Sequence, residues 1–403
     1  PLLFPEHHLS HAASAFYPSG FEEAAILTVD GVGEWATTTI SSGKDEKITI
    51  LKELHFPHSV GLLYSAFTQF LGFKVNSGEY KLMGLSAYGE AQHPDTQQFT
   101  SLIKEQLVII FPDGSIELNL PYFGFRSSLS TIRKKKWEQL FSMPIRKEEE
   151  AFTLAHANLA LAIQQVCEEI ILLLAQEAKR LTGASKLCMA GGVALNCVAN
   201  GKLLRANIFD EIFIQPAAGD SGGALGAALA AHHIYFNQAR TATGEPSLNL
   251  LGPPLLESEI TTLVDEYRLP GTPLPDDQLF TQVAKHLADG KIVGWCQGRM
   301  EFGPRALGGR SIIGDARSPH MQSVMNLKIK YRESFRPFAP AIKADKVQEW
   351  FDHKGVSPYM LIVAQVAGAD CAGNEVAGQE VTGLQRLHIV RSDIPAVTHL
   401  DGS

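Results

Sequence analysis

Short apolar runs that stop at glycine turns and feed into helical stretches are the feature that most limits how this chain folds. Residues 24–29 (AAILTV) are rich in β-formers and end at Asp30-Gly31-Val32-Gly33, a turn signal. Residues 186–190 read as a buried strand, and Gly191-Gly192 then turns the chain into a helix. Residues 212–214 give a third short strand, followed by an alanine-rich helix over 221–234. This alternation predicts an α/β layer architecture. The spacing of Leu62, Leu63, Ala66, Phe67 and Phe70 predicts a helix over 59–71, and a long helix is expected over 152–179. Residues 292–296 predict a further strand.

A length of 403 residues suits two or three domains. The stretch 239–257, rich in Gly, Pro, Ser and Thr, is the best linker and divides a first domain over 1–245 from a second over 255–403. Residues 104–150 are polar and irregular, and read as an insertion whose basic run, Arg133-Lys134-Lys135-Lys136, is a solvated face. The chain opens Pro1-Leu2-Leu3-Phe4 without Met and stops just after strand-like Ala396-Val397-Thr398, so a fragment lacking both ends is expected.

Charge narrows the function classes. Lys plus Arg total 35 and Asp plus Glu 43, a net charge of −8. A general nucleic-acid or membrane-surface binder needs a basic excess. No uninterrupted apolar run approaches the roughly 20 residues that span a bilayer, so no transmembrane segment is expected. Cys167, Cys188, Cys197, Cys296 and Cys371 form no CxxC pair and read as buried reduced thiols, which points to the cytoplasm.

His7 and His11 are four residues apart, so on a helix both imidazoles reach one ion or simply share a face. The zinc-protease pattern HExxH needs a glutamate where this chain has His8. Asp30 follows a strand, where ligands of open α/β sheets bind, yet Asp-Gly is also a plain turn. Asp220 precedes the alanine-rich helix and reads either as its N-cap or, with Gly222 and Gly223 behind it, as part of a site where backbone approaches a ligand. Two His and two Asp suit Fe(II), Zn(II) or Mn(II). Gly191, Gly192 and the helix start after them can offer N–H groups to a nucleotide, although neither the dinucleotide fingerprint nor the Walker A pattern is matched. Lys81, inside a glycine-flanked segment, is a phosphate contact or a surface lysine.

A second constellation runs from Arg299 to Arg336, with eight basic residues and three acidic ones in an otherwise acidic chain. Its arginines interleave with glycines, which suits wrapping a phosphate or carboxylate. A solvated charged face remains the alternative there.

Taken together, HHLSHAASAFY (7–17), VDGVGEW (29–35), YKLMGLSAYG (80–89), GGVALNCVANGKL (191–203), GDSGGALGAAL (219–229), GRMEFGPRALGGRS (298–311) and KYRESFRPFAP (330–340) resemble the O-carbamoyltransferase family, of the nodulation protein U and cephamycin and tobramycin carbamoyltransferase type. The resemblance runs along essentially the whole chain. The first domain is more distantly similar to TsaD-type proteins of tRNA threonylcarbamoyladenosine synthesis, and the second to YrdC-like domains.

The resemblance implies an actin-like ATPase fold, a duplicated ribonuclease-H-like domain, followed by an α+β YrdC-like domain. It implies a metal, typically iron, on His7, His11, Asp30 and Asp220, and an adenylate site lined by Gly191, Gly192 and Asn196. It implies carbamoyl phosphate and ATP bound by Arg299, Arg305, Arg310, Lys330, Arg332 and Arg336. Carbamoyl phosphate plus ATP would give carbamoyl adenylate, and a hydroxyl of a small acceptor would then take the carbamoyl group. Arg305 and Arg310 are the expected catalytic cations, and His8 a candidate for assisting deprotonation. Family members carry further segments at both ends, so a base from the N-terminal part is not expected among these residues. The expected partners are a small hydroxylated acceptor and, for assembly, a second copy of the chain; nucleic acid and membrane are not expected. The competing readings are a sugar-kinase-like ATPase releasing ADP, a tRNA threonylcarbamoyl transferase, and a non-catalytic nucleotide-binding partner.

Overall fold

The structure is a computed structural model that describes residues 2–240, 249–370, 375–376, 379–380, 386–387 and 389–403. The chain divides into two units: Pro1–Pro246 with Leu361–Ala364 and Asn374–Ile389, and Ser247–Met360 with Gln365–Gly373 and Val390–Ser403. Both are mixtures of helix and strand.

The first unit starts with helix α1 (His7–Phe16), strands β1 (Glu23–Val29), β2 (Ala36–Lys44) and β3 (Lys47–His55), and helices α2 (Val60–Phe70), α3 (Glu79–Ser86) and α4 (Pro94–Leu102). Strands β4 (Val108–Ile110) and β5 (Ile116–Leu118), helix α5 (Lys134–Phe141) and the 29-residue helix α6 (Leu154–Thr182) follow. Strand β6 (Lys186–Ala190), helix α7 (Cys197–Arg205), strand β7 (Glu211–Ile214) and helix α8 (Asp220–Ala230) complete it. Five strands form one sheet in the order β3-β2-β1-β6-β7. The meander β1-β2-β3 is antiparallel, while β6 runs parallel to both β1 and β7. In β1, Ala24 to Val29 are all buried, which explains its unbroken apolar run.

Helix α6 starts at a capping box between Thr153 and His156 and ends at Gly183, whose φ of 67° is the left-handed stop. It is long and apolar enough to cross a membrane, but 72% of its most apolar window is buried within the protein. This burial agrees with the sequence expectation of no transmembrane segment: Gln and Glu interrupt the apolar run of a helix that lies inside the unit. Its buried glutamates are bonded; Glu168 accepts from Gln164 and Lys202.

Three expectations change. Residues 104–150 are ordered, with a β4–β5 pair and α5 packed by aromatic edges. Trp137 and Phe141 are buried against Phe67 and Phe70, and burying each such side chain contributes about 1.5–3 kcal/mol. The run Arg133 to Lys136 is nonetheless exposed as expected. Residues 396–398 are not a strand, because a 3-10 turn begins at Pro395 and covers Pro395–Val397. Cys167 and Cys188 are buried but Cys296 is exposed on a two-stranded edge, and Cys371 lies outside the described residues.

In the second unit, helices α9 (Glu257–Tyr267) and α10 (Asp276–Ala288) precede the antiparallel pair β8 (Val293–Cys296) and β9 (Arg310–Ile313). Its small core gathers Met321, Met325 and Ala396 with Ile292 and Phe338.

Candidate metal centre and basic cluster

Three elements meet at the carboxyl end of β1. Helix α1 packs on α8 at short range because α8 carries glycine: a Cβ on Gly226 would lie 1.7 Å from the Ser10 carbonyl oxygen. That approach brings the first turn of α8 to the first turn of α1. Gly219 is the N-cap of α8, so Asp220 stands one residue inside it and its carboxylate is 83% exposed. Of the two readings of Asp220, the N-cap is therefore not the one observed, since Gly219 holds that position without a side-chain cap.

His7 Nε2 lies 2.8 Å from Asp30 Oδ2, His11 Nε2 lies 3.2 Å from the same oxygen, and the two Nε2 atoms are 3.0 Å apart. Asp220 Oδ1 is 3.6 Å from His7 Nε2 and 3.9 Å from His11 Nε2. One ligand atom from each of the four residues falls within 4.8 Å of all the others. Ligand atoms about 2.0–2.2 Å from an ion are at most about 4.3 Å apart, so closure by a few tenths of an ångström completes the shell. Asp220 is the exposed member of the four. His11 is fully buried, and its Nδ1 has no hydrogen-bond partner among the described residues.

The supporting contacts were not legible from sequence. Gly192 N–H donates to Asp30 Oδ1 at 3.0 Å, and a Cβ on Gly192 would crowd that oxygen at 3.0 Å. Gly191 has φ 90°, and a Cβ there would meet the Val29 carbonyl oxygen at 2.3 Å. The glycine pair therefore closes β6 onto β1 and orients the carboxylate. Glu34 accepts the His7 backbone N–H at 2.9 Å, and this contact holds its carboxyl below the usual range. Burial pushes the Asp30 carboxyl up, but hydrogen bonds to His11 and His7 outweigh it and hold the group ionised. The bond to Asp30 raises His7. His8 is buried, its Nδ1 2.6 Å from Thr28 Oγ1, and burial pushes its imidazole down to about 4. It is neutral at pH 7 and able to accept a proton only at a cost.

Asn196 turns inward. Its Oδ1 caps α7 by accepting from Ala199 N–H, and its amide pairs twice with that of Gln164, at 3.0 and 3.1 Å. Gln164 also accepts from Tyr64 and donates to Glu168. Lys81 lies on α3 with its ammonium 5.9 Å from the centre of the Phe73 ring.

In the second unit, one carboxylate organises the arginine loop. Glu301 Oε1 accepts N–H bonds from Leu307, Gly309 and Arg310. Arg310 spends its guanidinium on the carbonyls of Gln297, Gly298 and Gly309. Arg299 is exposed, with a long contact to the Leu251 carbonyl at 3.4 Å, and Arg305 is half-buried. Arg317 is neutralised by Asp315. Burial, then the charges of Arg332 and Arg336, press the Lys330 ammonium down, so three cations share one neighbourhood. Arg332 stacks 4.8 Å from the centre of Phe338 and bonds Asn326, and Arg336 lies 3.7 Å from Glu333.

Two family descriptions match this chain: carbamoyltransferase N-terminus over residues 1–229 and carbamoyltransferase C-terminus over residues 284–403. An uncharacterized protein of Synechocystis sp. is 51% identical over 407 residues, covering 100% of this chain and 65% of that protein. Nodulation protein NolNO of Sinorhizobium fredii is 34% identical over 413 residues, covering 100% of this chain and 54% of that protein. Nodulation protein U of Rhizobium tropici is 34% identical over 234 residues, covering 57% of this chain and 34% of that protein. The chain therefore spans roughly half to two thirds of the relatives that it matches end to end.

Proposed function

This chain belongs to the carbamoyltransferase family, and on that premise we propose that it carries out ATP-dependent O-carbamoyl transfer to a small hydroxylated acceptor. The observation that carries the reading is the convergence of His7, His11, Asp30 and Asp220 at the carboxyl end of a sheet strand, beside the Gly191-Gly192 turn. The sheet order, with an antiparallel meander followed by two parallel strands, supports one ribonuclease-H-like half of an actin-like domain. A YrdC-like second unit and a cytoplasmic setting belong to the same proposal.

The donor set fits a divalent cation: two imidazole nitrogens and two carboxylates suit Fe(II), Zn(II) or Mn(II). His7, His11, Asp30 and Asp220 would hold it, and when bound it supplies charge to neutralise phosphate oxygens. Gly192, by donating to Asp30 Oδ1, leaves Oδ2 facing the histidines. The turn that Gly191 opens brings the adenylate phosphate close to backbone. In the second unit Lys330, Arg332 and Arg336 gather positive charge for carbamoyl phosphate and ATP. Arg310, tied to three carbonyls, shapes the loop that presents Arg299 and Arg305.

In balance, carbamoyl phosphate, ATP and water give carbamoyl adenylate, pyrophosphate and phosphate. The acceptor hydroxyl then attacks the carbamoyl carbon, its proton passes to a base, and the bond to the adenylate oxygen breaks to release AMP. His8, buried and neutral, is a candidate for receiving that proton. The test is product analysis on the protein with carbamoyl phosphate and ATP. AMP and pyrophosphate are expected, with near loss in Arg305→Ala; ADP, as from a sugar-kinase-like ATPase, overturns the proposal.

A further inference from the structure

The segment between α4 and α6 carries a surface that the transfer reading leaves unused. From Leu118 to Trp137 the chain holds five cations, Arg126, Arg133, Lys134, Lys135 and Lys136, and no acid. All five are exposed, and none pairs with a carboxylate among the described residues. Elsewhere on the same unit Lys44, Lys104, Lys186 and Lys202 each meet a glutamate within 3.7 Å. The next acid along the chain, Glu138, accepts the Ile145 N–H at 3.3 Å. Lys134, Lys135 and Lys136 fill the first turn of α5 with no acid among them. The positive end of a helix repels cations, so helix stability alone does not select this run.

The run is joined to a held hairpin. Phe123 and Ile132 pair antiparallel, Gly124 N–H donates to the Thr131 carbonyl at 3.0 Å, and Arg133 N–H donates to the Tyr122 carbonyl at 2.9 Å. On α2, Gln69 Oε1 accepts from the Thr131 N–H at 2.8 Å and from the Thr131 and Ser130 hydroxyls at 2.7 and 3.1 Å. Leu129 stands on the turn, fully exposed. The cations gather about this hairpin: Arg133 donates to Ser127 Oγ at 2.7 Å, and Lys136 lies 5.5 Å from the centre of the Tyr122 ring at its base. The Trp137 indole N–H donates to the Tyr122 carbonyl, which pins the first turn of α5 to the hairpin.

We infer that the hairpin and the basic turn of α5 form a docking surface for an anionic phospholipid bilayer, with Leu129 entering the boundary between headgroups and acyl chains. Each lysine or arginine beside a charged leaflet adds attraction, and an apolar side chain supplies the second contact that a shallow attachment needs. The net charge of −8 keeps the rest of the molecule from such a surface, so contact is confined to this patch. A nucleic-acid strand would answer the same cations but gives a projecting leucine no apolar medium to enter. The patch contains none of the residues assigned to carbamoyl transfer, so the inference stands apart from that reading.

Co-sedimentation of the whole protein with vesicles tests it, using phosphatidylcholine alone and phosphatidylcholine with about one third phosphatidylglycerol. Binding is expected to the anionic vesicles only, and to fall steeply as salt is raised. The triple variant Lys134→Gln, Lys135→Gln, Lys136→Gln is expected to bind about 100-fold more weakly, and Leu129→Ser about tenfold more weakly. Both are expected to keep native circular dichroism and the native rate of AMP release, since these side chains stand in water. A polarity-sensitive fluorophore on Leu129→Cys, in a Cys296→Ser background that removes the exposed native thiol, is expected to shift to the blue on anionic vesicles. No binding to anionic vesicles, equal binding to phosphatidylcholine, native affinity in the triple variant or in Leu129→Ser, or an unshifted fluorophore each overturns the inference. Tighter binding to a single-stranded oligonucleotide, unchanged by Leu129→Ser, overturns it in favour of nucleic acid.

Discussion

His7 Nε2 and His11 Nε2 lie 3.0 Å apart, one helical turn from each other, and both face Asp30 Oδ2. If both nitrogens carry protons, two N–H groups repel. If only one does, the other ring turns a lone pair toward an ionised carboxylate. A cation accepts both lone pairs and the carboxylate together, which removes the conflict.

The approach of α8 to α1 sets whether Asp220 reaches the histidines. Gly226→Ala forces a Cβ to 1.7 Å from the Ser10 carbonyl oxygen and is expected to cost about 1–3 kcal/mol. Gly223→Ala, on the same helix with nothing within 4 Å, is expected to gain about 0.5–1 kcal/mol. Urea unfolding of the pair checks this; equal effects would mean that the tight helix contact does not govern the site.

The amide pair of Gln164 and Asn196 ties α6 to the turn after β6. Gln164→Leu leaves Tyr64, Asn196 and Glu168 with lost partners, at about 1–3 kcal/mol for each buried group that stays unmatched. The expected signs are a lower urea midpoint and faster amide exchange at Ala199, whose N–H is capped by Asn196. A midpoint equal to the native one would show that the network contributes nothing.

Acid stability follows from Lys52, which bridges Asp113 and Glu177 across β3 and α6. Arg180 first and Lys52 next hold the Glu177 carboxyl near about 2; burial opposes, but Lys52 and Ser115 bring Asp113 to about 2. Folded-state values below the unfolded ones mean that this contribution is full above the ordinary carboxylate range and is lost as pH falls through about 2. Thermal melts from pH 6 to pH 2 should therefore fall less steeply in Lys52→Met than in the native protein. Parallel curves would remove this cluster from the account.

Much of the site is local and was readable for that reason. The four-residue spacing of His7 and His11 works because a helix repeats every 3.6 residues, and Asp30 follows a strand that its apolar run announces. The meeting of Asp220 with His7 depends on the contact of α8 with α1, which no local period encodes. Gly192 is joined to Asp30 across 162 residues by the β1–β6 pairing. The segment around Trp137 reads as irregular from sequence because its core is completed by Phe67 and Phe70 from α2, a distant part of the chain. The resemblance implies Asn196 at the adenylate site; in the structure its amide bonds Gln164 and its oxygen caps α7.

The most direct measurement is bound metal and AMP release, determined together in the native protein, His11→Ala and Asp220→Asn. The account predicts about one divalent ion per native chain, with metal and carbamoyl-phosphate-dependent AMP release lost together in His11→Ala. Asp220→Asn, at an exposed position, should keep native stability within about 0.5 kcal/mol while binding the ion more weakly. Native metal content in both variants, or undiminished AMP release from metal-free protein, would contradict it.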